Sequence, residues 1–154
     1  MIKNKWRSGR KPSHTFVMLQ HRIIDSANFH ALSGKAVKLL LDIARQYNGN
    51  NNGDLQAAWT LMSKCGWRSK ETLHNAIKEL LHFGMIEKTR QGSLNQCSLY
   101  ALSWCAIDEC KGKLEIAPTR LPSNLWMIPK GVFAATALKK SQHDMESNKS
   151  DKRI

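Results

Sequence analysis

The sequence predicts a mainly α-helical fold with one small β-ribbon, an α+β class. Two stretches in the middle of the chain repeat their apolar residues at helical spacing, and the stretch that follows alternates apolar and polar residues as a strand does. The chain has 154 residues, of which 42% are hydrophobic. This size and composition fit one domain with its own core and exclude wholesale disorder.

The first of these helices is predicted to begin after Ser33, a typical N-cap residue, and to stop at Asn48-Gly49. Its apolar residues fall on one helical face: Leu32, Ala36, Leu39, Leu40, Ile43 and Tyr47. Residues 48–54 are all Asn, Gly or Asp, which predicts a loop.

A short strand at 55–58 and a compact helix at 58–64, ended by Gly66, are predicted next. The following helix, 69–83, has Ser69 as its N-cap and Glu71 in its first turn, and Gly84 ends it. Its apolar residues define a buried face, and the opposite face is polar: Glu71, His74, Asn75, Lys78 and His82.

The ribbon is predicted from strands at 85–91 and 97–107 and a turn at 92–96, with Tyr100, Leu102 and Trp104 on one core face. The order is therefore helix, short strand, helix, tight turn, helix and ribbon. That order is typical of a winged helix-turn-helix, in which the 85–107 ribbon would be the wing.

The charge of the chain predicts a polyanionic partner. The formal net charge is +12 at pH 7, and residues 1–22 carry six Lys or Arg and no acid. We expect a basic flexible arm at 1–14, a winged helix at 15–108, an extension at 109–135 that packs on the domain or on a partner, and a disordered tail at 136–154.

No apolar run is long enough to span a membrane, and the N-terminus lacks the apolar segment of a signal peptide. We therefore expect no membrane partner and a cytoplasmic, nucleoid-associated protein. Double-stranded DNA is the expected partner. A second copy of the chain and a host or phage protein stay open as further partners.

Candidate DNA-binding residues are cations and hydrogen-bonding side chains that can reach phosphates or base edges. Four lie in the arm, seven at the start and along the polar face of the predicted recognition helix 69–83, and three on the ribbon. They are Lys5, Arg7, Arg10 and Lys11; Arg68, Ser69, Lys70, Thr72, His74, Asn75 and Lys78; and Lys88, Arg90 and Asn95.

From residue 16 to about residue 126 the sequence resembles winged-helix proteins of phages, prophages and plasmids. The matching segments are FVML (16–19), LSGKA (32–36), YNGNNNG (47–53), SKETL (69–73), EL (79–80), GMI (84–86) and TRQG (89–92). The 48–53 run is the most distinctive. The layout also looks like the N-terminal origin-binding domain of lambdoid phage replication initiators. The resemblance implies a DNA-binding regulator of replication or transcription, without catalytic residues.

Other chemistry finds little support in the sequence. The four cysteines are separated by 32, 8 and 5 residues, without the close pairs of a structural zinc site, so reduced structural thiols are expected. No nucleophile, phosphate-loop or zinc-protease motif occurs, and we expect neither an enzyme nor a cofactor. A protein-binding inhibitor or adaptor on the same scaffold, for example one countering a host defence complex, stays open. Binding to single-stranded DNA or to RNA is a third hypothesis.

Overall fold

The computed structural model describes residues 15–131 and 133, and over them the fold is α+β, as predicted. Five α-helices and three β-strands follow one another in the described chain. They are α1 (His21–Ile24), α2 (Ala27–His30), α3 (Gly34–Ala44), β1 (Leu55–Gln56), α4 (Trp59–Met62), α5 (Lys70–His82), β2 (Ile86–Arg90) and β3 (Leu99–Leu102). Three 3-10 turns lie at Ser63–Cys65, Cys110–Gly112 and Leu125–Met127.

The predicted two-stranded ribbon is a three-stranded antiparallel sheet in the order β1-β3-β2. Ile86 lies opposite Leu102 on one side of β3, and Leu55 lies opposite Tyr100 on the other. The second strand was predicted at 97–107, but β3 is only four residues long. All four of its residues are buried, so its burial does not alternate as the sequence pattern predicted.

The predicted helix starts are confirmed, because Ser33 caps α3 and Ser69 caps α5 with side-chain hydrogen bonds. The predicted end of α3 at Asn48-Gly49 is wrong, since the helix ends at Ala44. After it, the Gln46 side chain donates to Gln56 O at 2.8 Å and accepts from Gln56 N at 3.0 Å. This contact joins the chain just after α3 to β1.

Helices α1 and α2 were not predicted, because each has only four residues and shows no helical repeat. Arg22, counted from sequence with the basic N-terminal segment, lies on α1 with its guanidinium 5.2 Å from the centre of the Trp126 ring. The core is formed mainly where α3 packs on α5 and both cover the sheet, with Leu39, Leu40, Leu80 and Phe83 almost fully buried.

The chain after β3 returns across the domain. Asn124 N donates to Ser103 O at 2.8 Å, and the Asn28 side chain on α2 donates to Trp126 O at 2.9 Å and Ile128 O at 2.7 Å. Trp126 is buried and belongs to the hydrophobic core. The same Asn28 amide reaches Phe83 O at 3.1 Å, so it joins α2, the end of α5 and the returning chain.

Candidate nucleic-acid interface

The turn between α4 and α5 exposes the first residues of α5. Gly66 has φ of +87° and ends the 3-10 turn, which lets Trp67 N donate back to Met62 O at 3.2 Å. Ser69 Oγ then accepts from Thr72 N at 3.2 Å and begins α5. Arg68, Ser69 and Lys70 are exposed as a result.

Trp67 anchors this turn to α3 and is not free to stack on a base. Its side chain is 5% exposed, and its Nε1 donates to Asp42 Oδ2 at 2.8 Å. Lys38 Nζ donates to the same oxygen at 2.6 Å and to Cys65 O at 2.8 Å, and it lies 5.2 Å from the Trp67 ring centre. The turn is therefore held by a buried aromatic ring and a three-way polar contact.

A cavity of about 380 Å³ opens beside this anchor, at the N-terminal end of α5. It is lined by Lys35 and Lys38 of α3, the turn residues Gly66, Trp67 and Arg68, and Ser69 and Thr72 of α5. The partial positive charge of a helix N-terminus and nearby cations both favour an anion. Sequence reasoning missed Lys35 and Lys38, which contribute from a different helix.

The exposed side of α5 continues from this cavity. Lys70, His74 and Lys78 are exposed and recur every four residues, so they form one stripe along the helix. Lys70 Nζ lies 5.7 Å from the Trp59 ring centre, which directs it toward α4. Thr72 and Asn75 are half-buried beside the stripe, and Glu71 adds one exposed acid.

The hairpin β2–β3 carries the remaining described candidates, none of which lines the cavity. Lys88 is exposed, and its Nζ donates to Gln91 Oε1 at 2.8 Å. Arg90 is half-buried, and its Nη2 donates across the hairpin to Cys97 O at 3.0 Å. Arg90 thus braces the hairpin, and Asn95 is exposed at its tip. Lys5, Arg7, Arg10 and Lys11 lie outside the described residues.

A second cavity, of about 470 Å³, is mainly apolar and lies near the C-terminal end of α3. Phe16, Val17 and Met18 line it together with Tyr47, Asn48 and Gly49, with Ala44 and Leu102, and with Trp104 and Cys105. Burial raises the pKa of the Cys105 thiol and of the Tyr47 phenol, so both stay neutral at physiological pH. Phe16 and Met18 are each 71% exposed at its rim.

Residues 15–131 and 133 contain no cluster of three His, Cys, Asp or Glu side chains arranged to hold a metal ion. No helix in that same part of the chain is long and apolar enough to cross a membrane. All four cysteines are free thiols. Comparisons of the chain with protein-family models, with curated protein sequences and with solved structures find no match.

Proposed function

We propose that this protein binds double-stranded DNA as a winged helix-turn-helix. In this proposal α4 and α5 form the helix-turn-helix, α5 enters the major groove, and the β2–β3 hairpin is the wing. The main support for this proposal is the cationic cavity at the start of α5, which continues into the exposed stripe of Lys70, His74 and Lys78.

The geometry of α5 suits this role. The helix has 13 residues, and its inner face packs through Leu73, Ala76 and Leu80, which leaves the outer face free for a groove about 12 Å wide. A phosphate at the cavity would meet Arg68 and Lys35 beside the N-terminus of the helix. Such a contact would orient α5 on the duplex.

We assign recognition of the DNA bases to side chains at the start of α5, next to the proposed phosphate contact. Asn75 can pair with an adenine edge, and Arg68 or Lys70 with guanine or a phosphate. Glu71 can accept from cytosine. The resemblance to mobile-element proteins supports regulation of replication or transcription through occupancy of a DNA site, which blocks or recruits other machinery.

The first test is selection from a random duplex pool at about 150 mM salt, followed by sequencing. We expect an enriched motif, and a palindrome would indicate a dimer and give its half-site spacing. If no sequence is enriched but the protein still retains duplex in a salt-sensitive way, it binds DNA without sequence specificity. A failure to retain any duplex would overturn it.

Variants of α5 test whether its side chains recognise the DNA sequence. Lys70→Ala and Asn75→Ala should each weaken binding to the selected sequence more than binding to random duplex, because base contacts carry the specificity. The control is Lys130→Ala, which removes a cation far from the start of α5. Lys130 N donates to Asn28 Oδ1 near the C-terminal end of α5, about 20 Å from the first residue of that helix. Equal losses on both duplexes would contradict base readout by that residue.

A protein-binding adaptor is the second candidate function, and the apolar cavity favours it. Exposed Phe16 and Met18 at the rim offer apolar contacts that duplex binding through α5 does not use. Heparin retention together with duplex binding supports the first function. Heparin retention without duplex binding supports the second.

A further inference from the structure

The tip of the β2–β3 hairpin carries an apolar side chain in an unusual position. Leu94 is 97% exposed, more than any other large apolar side chain of the described residues; Leu121 follows at 78%. Tight turns favour Gly, Asn, Asp and Ser, so turn chemistry gives no reason for a leucine here. The tip of the hairpin therefore presents a whole leucine side chain to its surroundings.

The hairpin holds this side chain outward in a defined position. Ser93 N donates to Gln96 O at 2.9 Å and Gln96 N donates to Ser93 O at 3.2 Å, which closes the turn around Leu94 and Asn95. Below the turn, Gly92 N donates to Ser98 Oγ at 2.9 Å, and the Arg90 bond to Cys97 O crosses between the strands. The loop is thus a braced projection with Leu94 at its apex.

The base of the hairpin is fixed to the rest of the domain as well. Thr89 Oγ1 donates to Gly53 O at 2.6 Å, and Glu115 of the returning chain contacts both Thr89 O and Gln91 N, each at 3.0 Å. The base of the hairpin is therefore held firmly on the domain, as is required of a loop whose tip separates two base pairs.

The neighbours of Leu94 indicate which surface it meets. Gln91, Ser93, Asn95 and Gln96 are exposed and polar, and the loop 91–98 exposes no second large apolar side chain. A protein interface centres on a contiguous apolar patch, which this loop lacks. One apolar side chain among amides instead fits a DNA minor groove, where amides pair with base-edge acceptors and an apolar side chain enters a base step.

We propose that Leu94 is a wedge that inserts from the minor groove between two base pairs and kinks the duplex, with Asn95 and Gln96 on the base edges at either side. This proposal rests on the proposed duplex binding. It adds a bend to the bound DNA and a preference for deformable pyrimidine–purine steps at the position of the tip.

The test uses the full chain and a duplex of about 16 base pairs, roughly 55 Å long, that contains TA steps and carries a donor and an acceptor dye at its ends, at about 50 mM salt. Saturating wild-type protein should raise energy transfer between the dyes, because a kink shortens the end-to-end distance. Leu94→Ala should lower affinity about fivefold to thirtyfold and remove the rise in energy transfer at saturation. Leu94→Met should keep the rise.

Two further variants separate the wedge from the rest of the interface. Leu121→Ala removes the other highly exposed leucine and should change neither affinity nor energy transfer. Lys70→Ala with Lys78→Ala should lower affinity yet keep the rise in energy transfer once the duplex is saturated.

The outcomes distinguish the two proposals. If Leu94→Ala bends the duplex as the wild type does, the wedge is refuted while duplex binding stands. If wild-type protein binds without raising energy transfer, the wedge is refuted in the same way. If wild-type protein binds no duplex, the proposed function fails and the wedge fails with it.

Discussion

Asn52 pairs with Leu102 through both ends of its side-chain amide. Its Oδ1 accepts from Leu102 N at 2.8 Å, and its Nδ2 donates to Leu102 O at 3.0 Å. The same NH₂ group donates to Cys105 O and Ala106 O, each at 3.0 Å, and the residue is fully buried. Asn52 of the loop 48–54 thus holds the end of β3 in place.

Replacing Asn52 with Asp should destabilise the fold severely. The change removes every side-chain donor and places an acceptor, charged when ionised, against three carbonyl oxygens. We expect a loss of about 3–5 kcal/mol in the free energy of unfolding. Urea denaturation measures this loss. The control is Asn50→Asp, which adds the same carboxyl group at an exposed position of the same loop. Similar midpoints for the two variants would contradict the structural role of Asn52.

The buried carboxylate of Glu79 should contribute to stability by holding the start of α3. It accepts from Ser33 N and, at 2.8 Å, from Ser33 Oγ, while Ser33 Oγ accepts from Ala36 N at 3.2 Å. Glu79→Ala leaves the Ser33 amide without this partner and should cost about 2–3 kcal/mol. Glu71→Ala, on the exposed side of the same helix, should cost less than about 1 kcal/mol. Comparable losses in thermal or urea unfolding would show that the Glu79–Ser33 contact contributes little.

Gly84 should not tolerate a side chain. Its φ is +67°, and a Cβ there would lie 2.6 Å from the carbonyl carbon and oxygen of Leu125. Gly84→Ala should therefore cost about 2–4 kcal/mol and loosen the returning chain, which should speed trypsin cleavage after the exposed residues Arg120 and Lys130.

The control for Gly84 is Gly34→Ala at the first position of α3, where a Cβ would meet nothing within 4 Å. It should leave stability within about 0.5 kcal/mol. An unchanged cleavage pattern in Gly84→Ala would contradict the proposed dependence of the returning chain on this glycine.

Duplex binding should depend steeply on salt. If the arm, α5 and the hairpin together neutralise six to eight phosphates, the log–log slope of affinity against salt should be about −5 to −7. Arg68→Ala and Lys35→Ala should each make the slope shallower by about one, because each would lose one phosphate contact in the proposed complex.

Titrations by fluorescence anisotropy on a random-sequence duplex measure these slopes. Lys130→Ala, which removes a cation away from the cavity, should leave the slope unchanged. A slope near −1 for the wild type, or equal slopes for Lys130→Ala and Arg68→Ala, would exclude the cavity as a phosphate site.

Features that depend on neighbouring residues were predictable from the sequence. The N-caps Ser33 and Ser69 and the ending of α5 at Gly84 follow from backbone groups within a few residues. The polar stripe of α5 follows from helical periodicity. Helices α1 and α2 are too short for a periodic pattern, and the length of β3 depends on its two partner strands and on Asn52.

The candidate site was partly predictable for the same reason. Arg68, Lys70, His74 and Lys78 lie on one stretch of chain, so their shared exposure follows from local pattern. Lys35 and Lys38 reach the same cavity from α3, and the buried Trp67–Asp42 contact joins residues 25 positions apart. Neither relationship has a local signature.

The sequence by itself determined the fold class, the starts of the two long helices, the end of α5, the excess of positive charge and the polar face of α5, because each depends on composition or on short-range spacing. Tertiary structure alone decided which strand became central, which side chains surround the cavity and where Leu94 projects. These outcomes depend on contacts between distant residues, such as Asn52 with Leu102 and Glu79 with Ser33, whose partners are set only when the chain packs.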